Sequence, residues 1–178
     1  TMMSKVMDWP ARFQEMIDFV GLSDVERQLI KDSGPIVLGH VRKLTEGIYD
    51  QLLAYPESAQ FFTTENGQRD EKRIEDNIQT MISWFRAAVT APTNQGFIRY
   101  LVGISQMHAN IPVHRSNNTP VAPRYVIGTI SYYQTNLDDI LHQHMADPDL
   151  ARRTCVAWNK WLLVILELML ANYLLHDR

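Results

Sequence analysis

Residues Trp161 to Leu175 read WLLVILELMLANYLL, apolar nearly all round and interrupted by Glu167 and Asn172. A helix with apolar side chains on every side must be buried on every side. The run is about fifteen residues, short of the roughly twenty that span a bilayer. It therefore predicts a core helix and no membrane span. In a domain this small, one side should face its own core and the other a second subunit.

Helical periods run through the rest of the chain, with no strand alternation or hairpin dipeptide among them. Trp9 to Phe19 sets Phe13, Met16, Ile17 and Val20 on one side, a helix preceding the main body over about residues 5–20. Ser23 and Glu26 form a capping box that opens a helix over Asp24 to Lys31. Ser33-Gly34-Pro35 reads as a break, with Pro35 in the first turn of a new helix reaching about Ala54. Its inward positions are Val37 or Leu38, Val41, Leu44 or Thr45, Ile48 and Leu52.

Pro56 opens a short helical turn ending at Phe61-Phe62, and Thr64 to Gly67 is a loop. A long amphipathic helix over Arg69 to Thr90 sets Ile74, Ile78, Met81, Ile82 and Phe85 on one face before Pro92-Thr93-Asn94 ends it. Asn110 to Pro123 holds Pro112, Ser116 and Pro120, a loop long for a compact domain. Helices from Tyr125 to about Met145 and from Pro148 onward complete an all-α chain, one domain over 1–178.

The formal charge of −3 comes with no basic stripe, so a nucleic-acid partner is not expected. The single cysteine, Cys155, excludes an intrachain disulfide and a cysteine-built zinc cage. It suits a reducing, cytoplasmic setting, and no secretory signal is visible at the start.

His108 lies on the inward stripe Phe97, Leu101, Ile104, His108, Ile111, which follows one helix face. A histidine turned inward needs partners, since an unpaired buried polar group costs about 1–3 kcal/mol. A backbone carbonyl would make it an ordinary core residue. A metal would make it a ligand, imidazole being the commonest one. Tyr49 has the same two readings: a core phenol reaching a carbonyl, or a donor inside a pocket. Tyr49, Phe61, Phe62, Met81, Trp84 and Phe85 gather large side chains on neighbouring segments. Apolar walls, an inward imidazole and an inward phenol suit a haem pocket, and on pattern alone a haem-free all-α dimerisation domain fits as well.

The remaining polar residues carry less. His142 and His144 with Asp138 and Asp139 form either a surface metal site or a solvated helix end. His40 falls off the apolar stripe of its helix and reads as surface. No Ser–His–Asp arrangement or Gly-rich phosphate loop is present.

Taken in order, GIYDQLLAYPESAQFFTTENG (Gly47 to Gly67), MISWF (Met81 to Phe85), YLVGISQMHANIPV (Tyr100 to Val113) and PRYVIGTISYY (Pro123 to Tyr133) resemble the protoglobins and the globin domains of globin-coupled sensors. The resemblance covers nearly the whole chain. It implies a globin-like fold, a three-on-three helical sandwich with an extra N-terminal helix, dimerised through the helices over 125–145 and 150–175. It also implies haem b, with His108 as axial ligand to the iron. Tyr49 would donate a hydrogen bond to an iron-bound O2, CO or NO. Such a bond contributes about 1.5–3 kcal/mol, tenfold or more in affinity. Phe62, Ile78, Met81, Ile82, Phe85, Ile104 and Tyr125 would complete the cofactor pocket, and His114, Arg115 or Arg124 would meet the propionates.

The function so implied is gas sensing without catalysis, with ligation relayed from the His108 helix to the last two helices. One form is the input of a longer protein with an output module such as a diguanylate cyclase. The other is a free-standing protoglobin for gas binding or for nitric-oxide and redox chemistry. No distal histidine or arginine lies near Tyr49 to serve an efficient peroxidase. Two residues depart from the family pattern. Ile48 stands where protoglobins usually place tryptophan, and Met81 stands where they carry phenylalanine, which adds a flexible thioether able to reach iron.

Overall fold

The computed structural model describes residues 6–109 and 121–175. Among the described residues are seven α-helices: α1 (Trp9–Val20), α2 (Asp24–Ala54), α3 (Pro56–Ala59), α4 (Glu71–Ala88), α5 (Gln95–Ala109), α6 (Pro123–His144) and α7 (Pro148–Leu175). A 3₁₀ turn over Gln60–Phe62 follows α3. Most of the loop expected over Asn110 to Pro123 lies outside the described residues, and so do His114 and Arg115.

Side-chain caps set several helix starts. Asp8 accepts from the Ala11 amide at 3.1 Å and Asp70 from the Arg73 amide at 3.1 Å, opening α1 and α4. Ser23 and Glu26 satisfy each other's backbone amides at the start of α2, the reciprocal box read from the sequence. Asn94 accepts from the Phe97 amide at 2.9 Å, opening α5.

One expected break is absent. The helices predicted on either side of Ser33-Gly34-Pro35 form a single helix, α2, with Pro35 inside it. Proline removes one backbone donor and ordinarily breaks a helix. Tertiary contacts oppose that here. Ser33 Oγ donates to the Ile30 carbonyl at 2.8 Å and accepts the Trp158 indole N–H at 2.8 Å. Gly34 is buried, and a Cβ added there would lie 3.6 Å from that of Val89. The break signal thus marks close packing of α2 against its neighbours.

The all-apolar segment belongs to α7, which packs on α1, α2, α5 and α6. Trp161, Leu162, Val164, Ile165 and Leu168 are fully buried. Each such side chain contributes about 1.5–3 kcal/mol by leaving water. α7 is longer than its apolar run and could cross a membrane by length and composition alone. Most of its surface is nevertheless taken by helices of the same chain, while Val156 and Leu163 stay exposed. Both polar interruptions are used: Glu167 accepts from Arg12 Nε of α1 at 2.9 Å, and Asn172 donates to Ser105 of α5 at 2.9 Å.

Aromatic rings fix the same centre. Phe13 meets Trp161 edge-on at 5.8 Å, and Phe97 stacks on Trp161 at 5.7 Å. On the other side, α2 packs on α4 and α6. Gly47 lets the Tyr132 hydroxyl of α6 approach so closely that a Cβ would lie 2.2 Å from it.

Candidate functional site

A cavity of about 210 Å³ lies between α2, α4, α5 and α6. Ile48, Tyr49 and Leu52 face it from α2, and Phe61 and Phe62 from the 3₁₀ turn. α4 supplies Asn77, Thr80, Met81 and Trp84; α5 supplies Ile104, Met107 and His108. Tyr125, Val126, Thr129 and Ile130 come from α6, with Val121 and Met169 completing the lining. The volume is below the roughly 300–1,000 Å³ of a typical small-molecule site. Met81 and Met107, unbranched and flexible, are the walls that can repack most easily.

His108 leaves the core stripe at this point. Phe97 and Leu101 are buried, whereas Ile104 and His108 are half-buried and form cavity wall. His108 Nδ1 stands 2.8 Å from the Ile104 carbonyl oxygen. A carbonyl only accepts, so Nδ1 carries the hydrogen and Nε2 carries the lone pair a metal requires. The carbonyl partner of a core histidine and the tautomer of a metal ligand therefore occur together, since a ligating imidazole is oriented through its other nitrogen.

Tyr49 is buried against the same cavity, its ring meeting Phe62 edge-on at 5.2 Å. Its hydroxyl has no hydrogen-bond partner among the described residues. Burial pushes the phenol's pKa up from its ordinary value of 10.0, so it stays protonated, a donor, at neutral pH. The cavity thus offers a nitrogen donor from α5, a hydrogen-bond donor from α2 and otherwise mainly apolar walls.

α4 presents two inward faces. Ile74, Ile78, Ile82 and Phe85 are buried in the core, while Asn77, Met81 and Trp84, about one residue's rotation away, face the cavity. Ile78, Ile82 and Phe85 were expected in the pocket and do not line it. Phe85 packs instead on Trp84 at 4.7 Å and on Tyr133 at 4.7 Å. The more apolar face went to the core because close packing there gains most. Tyr49, Phe62, Met81, Ile104, His108 and Tyr125 do line the cavity. Sequence reasoning missed Asn77, Met169 of α7 and, apart from Tyr125, the contributions of α6; the signal for Asn77 was a polar residue four positions before Met81, on the same face.

The other candidates resolve differently. Arg124 is exposed, paired with Glu57, and lies over the Tyr125 ring with 5.1 Å to its centre. His40 is half-buried rather than on the open surface, donating from Nδ1 to the Ile36 carbonyl at 2.9 Å, with its ring tilted 48° against that of His144 at 4.6 Å between centres. His142 bonds its own helix at the Asp138 carbonyl, 2.8 Å away. No metal-binding cluster of His, Cys, Asp or Glu occurs among the described residues. Cys155 is buried, its thiol pKa pushed up to about 12 by desolvation and then by the charge of Asp138, so it is inert as a nucleophile.

The fold and this cavity have known counterparts. The globin domain of the Geobacter sulfurreducens globin-coupled sensor superposes with a TM-score of 0.70 at 22% identity, over 90% of this chain and 96% of that one. The ferric globin domain of E. coli DosC superposes with a TM-score of 0.68 at 13% identity, over 90% of this chain and 99% of that one. The fold is therefore globin-like. Comparison with curated proteins finds no match. The protoglobin family model matches residues 10–178, and the chain belongs to that family. Protoglobins bind haem, usually haem b, and the cavity residues fit that group: an oriented imidazole, apolar walls and an unpartnered phenol.

Proposed function

We propose that this protoglobin is a gas-sensing domain in which His108 Nε2 holds the haem iron and Tyr49 holds the gas. The haem supplies an iron centre that takes O2, CO or NO reversibly. The observation that carries the reading is the pairing of His108's fixed tautomer with Tyr49's unpartnered hydroxyl in one cavity. A donor fixed in a low-dielectric wall favours a polarised diatomic over a weakly polar one. Phe62, Met81, Ile104 and Tyr125 provide contact surface, and the domain itself performs no catalysis.

The relay runs from α5 to α7. Asn172 bonds Ser105, Ser105 Oγ donates to the Met169 carbonyl, and Tyr173 donates to the Val121 carbonyl at 2.7 Å. Displacement of His108 along α5 would thus be felt on α7. A dimer through α6 and α7 is supported by Ile127, Val156 and Leu163, exposed at 47%, 40% and 44%. Sensing needs two dimer states of different ligand affinity. An output module such as a diguanylate cyclase, working in the cytoplasm, would take its signal from α7.

The test is the absorption spectrum of the purified protein, ferric and dithionite-reduced, with and without CO, beside His108→Ala. A Soret band in the wild type that is lost or shifted in the variant, and restored by free imidazole, assigns the axial ligand. A haem-reconstituted wild type with no Soret band overturns the reading.

A further inference from the structure

Met107 is the one methionine exposed to solvent among the described residues, at 62%, and it also lines the cavity. Two more methionines line that cavity, but Met81 is half-buried and Met169 is buried. Of three thioethers around one space, a single one therefore meets bulk water. Met107 directly precedes His108 on α5, and Ile104, three residues back, is cavity wall as well. With 3.6 residues per turn, Met107 stands at the edge of the face that carries the imidazole. It belongs to the cavity and to the protein surface at once.

That position exposes the pocket to a defined chemistry. A hydroperoxide oxidises a thioether at sulfur: the sulfur gives up two electrons and gains one oxygen atom, and hydrogen peroxide leaves as water. Access decides which methionine reacts first, because a buried sulfur leaves no approach for the peroxide. The sulfoxide is polar and chiral where the thioether was flexible and apolar. Its oxygen needs hydrogen bonds that a mainly apolar wall does not supply, and an unpaired polar group is costly there. The oxidised side chain should therefore turn to water and take its contact surface out of the cavity.

We infer that Met107 is a reversible oxidation site through which peroxide loosens the cavity's hold on its cofactor. Reduction by a methionine sulfoxide reductase, with two electrons and two protons from a dithiol, returns the thioether and releases the oxygen as water. The oxidation itself stands on the exposure of Met107, and its effect on the cofactor rests on the haem-binding reading above.

The experiment treats the full chain with limiting hydrogen peroxide, once without haem and once loaded with haem as the CO complex, which keeps the iron from being the target. Peptide mass spectrometry should find sulfoxide at Met107 about tenfold faster than at Met81 or Met169. Haem transfer to an excess of a haem-scavenging protein, followed at the Soret band, should then run about fourfold faster than from untreated protein, as for the loss of roughly one buried methylene of contact. Methionine sulfoxide reductase should restore the slow transfer. In Met107→Leu the rates before and after peroxide should be equal. Oxidation of Met81 or Met169 as fast as Met107 would overturn the site. Selective oxidation with unchanged haem transfer, or a peroxide response that survives in Met107→Leu, would overturn its link to the cavity. A wild type that takes up no haem would overturn the haem-binding reading and the effect that rests on it, while mapping on the unloaded chain decides the oxidation site by itself.

Discussion

Asn172 donates its side-chain N–H to Ser105 Oγ across 2.9 Å, and Ser105 passes its own hydrogen to the carbonyl of Met169. Both side chains are buried, and Ser105 lies three residues before His108 on the same helix. Ser105→Ala would strand the Asn172 N–H and should cost about 1–3 kcal/mol. Adding Asn172→Leu removes the stranded group and should recover part of the loss. Denaturant midpoints of the four proteins measure the coupling; strictly additive effects would mean that the two side chains do not act as a pair.

Tyr49→Phe keeps the ring edge against Phe62 and deletes the hydroxyl alone. O2 dissociation from the haem-loaded protein should accelerate tenfold or more, for a lost bond of about 1.5–3 kcal/mol. Stability of the haem-free protein should stay within about 0.5 kcal/mol. Flash photolysis and stopped flow read the first, urea unfolding the second. An unaltered O2 off-rate would remove Tyr49 from the ligand side.

Burial raises the pKa of both Tyr49 and Tyr133 above the ordinary 10.0. The unfolded chain therefore releases these protons at a lower pH than the folded one. Above about pH 10 it binds fewer protons than the native state, so stability should fall as pH rises. Below that, the two residues add no slope. Tyr133→Phe should flatten the alkaline fall and lose the 3.3 Å contact with Thr45. Unfolding free energies from pH 8 to pH 11 decide it; an equally steep fall in the variant would assign the effect to other groups.

Leu163→Glu places a charge on the exposed apolar strip of α7 without touching the core. With the dimer proposed above, sedimentation should show a dimer for the wild type and a monomer of unchanged helix content for the variant; a monomeric wild type would overturn the proposed dimer. A variant that remains dimeric would place the interface on another face.

The helices were legible because apolar spacing and capping residues are local. The Ser23–Glu26 box and the Asn94 break came out at the expected positions. The continuity of α2 through Pro35 was not legible, since it depends on Trp158, far along the chain, reaching Ser33. At the site, His108 and Tyr49 were accessible through residue type and family order. The choice between the two faces of α4 was not. Ile78 and Asn77 are neighbours in sequence, and tertiary packing alone decides which of them meets the core and which the cavity. The apolarity of α7 was read correctly as burial, but its partners are four helices of its own chain, which no local pattern specifies.

α7 follows in sequence every helix it packs against. During synthesis, α1 and α2 leave the ribosome long before the surface that covers them exists. At about 5–20 residues per second the delay is on the order of ten seconds. For that interval the nascent chain carries open apolar faces, the kind of surface that chaperones hold and that aggregates without them. Closure of the core is thus postponed to one late event, the arrival of Trp161 and its neighbours, and the yield of folded protein should follow how well the cell shelters the chain until then.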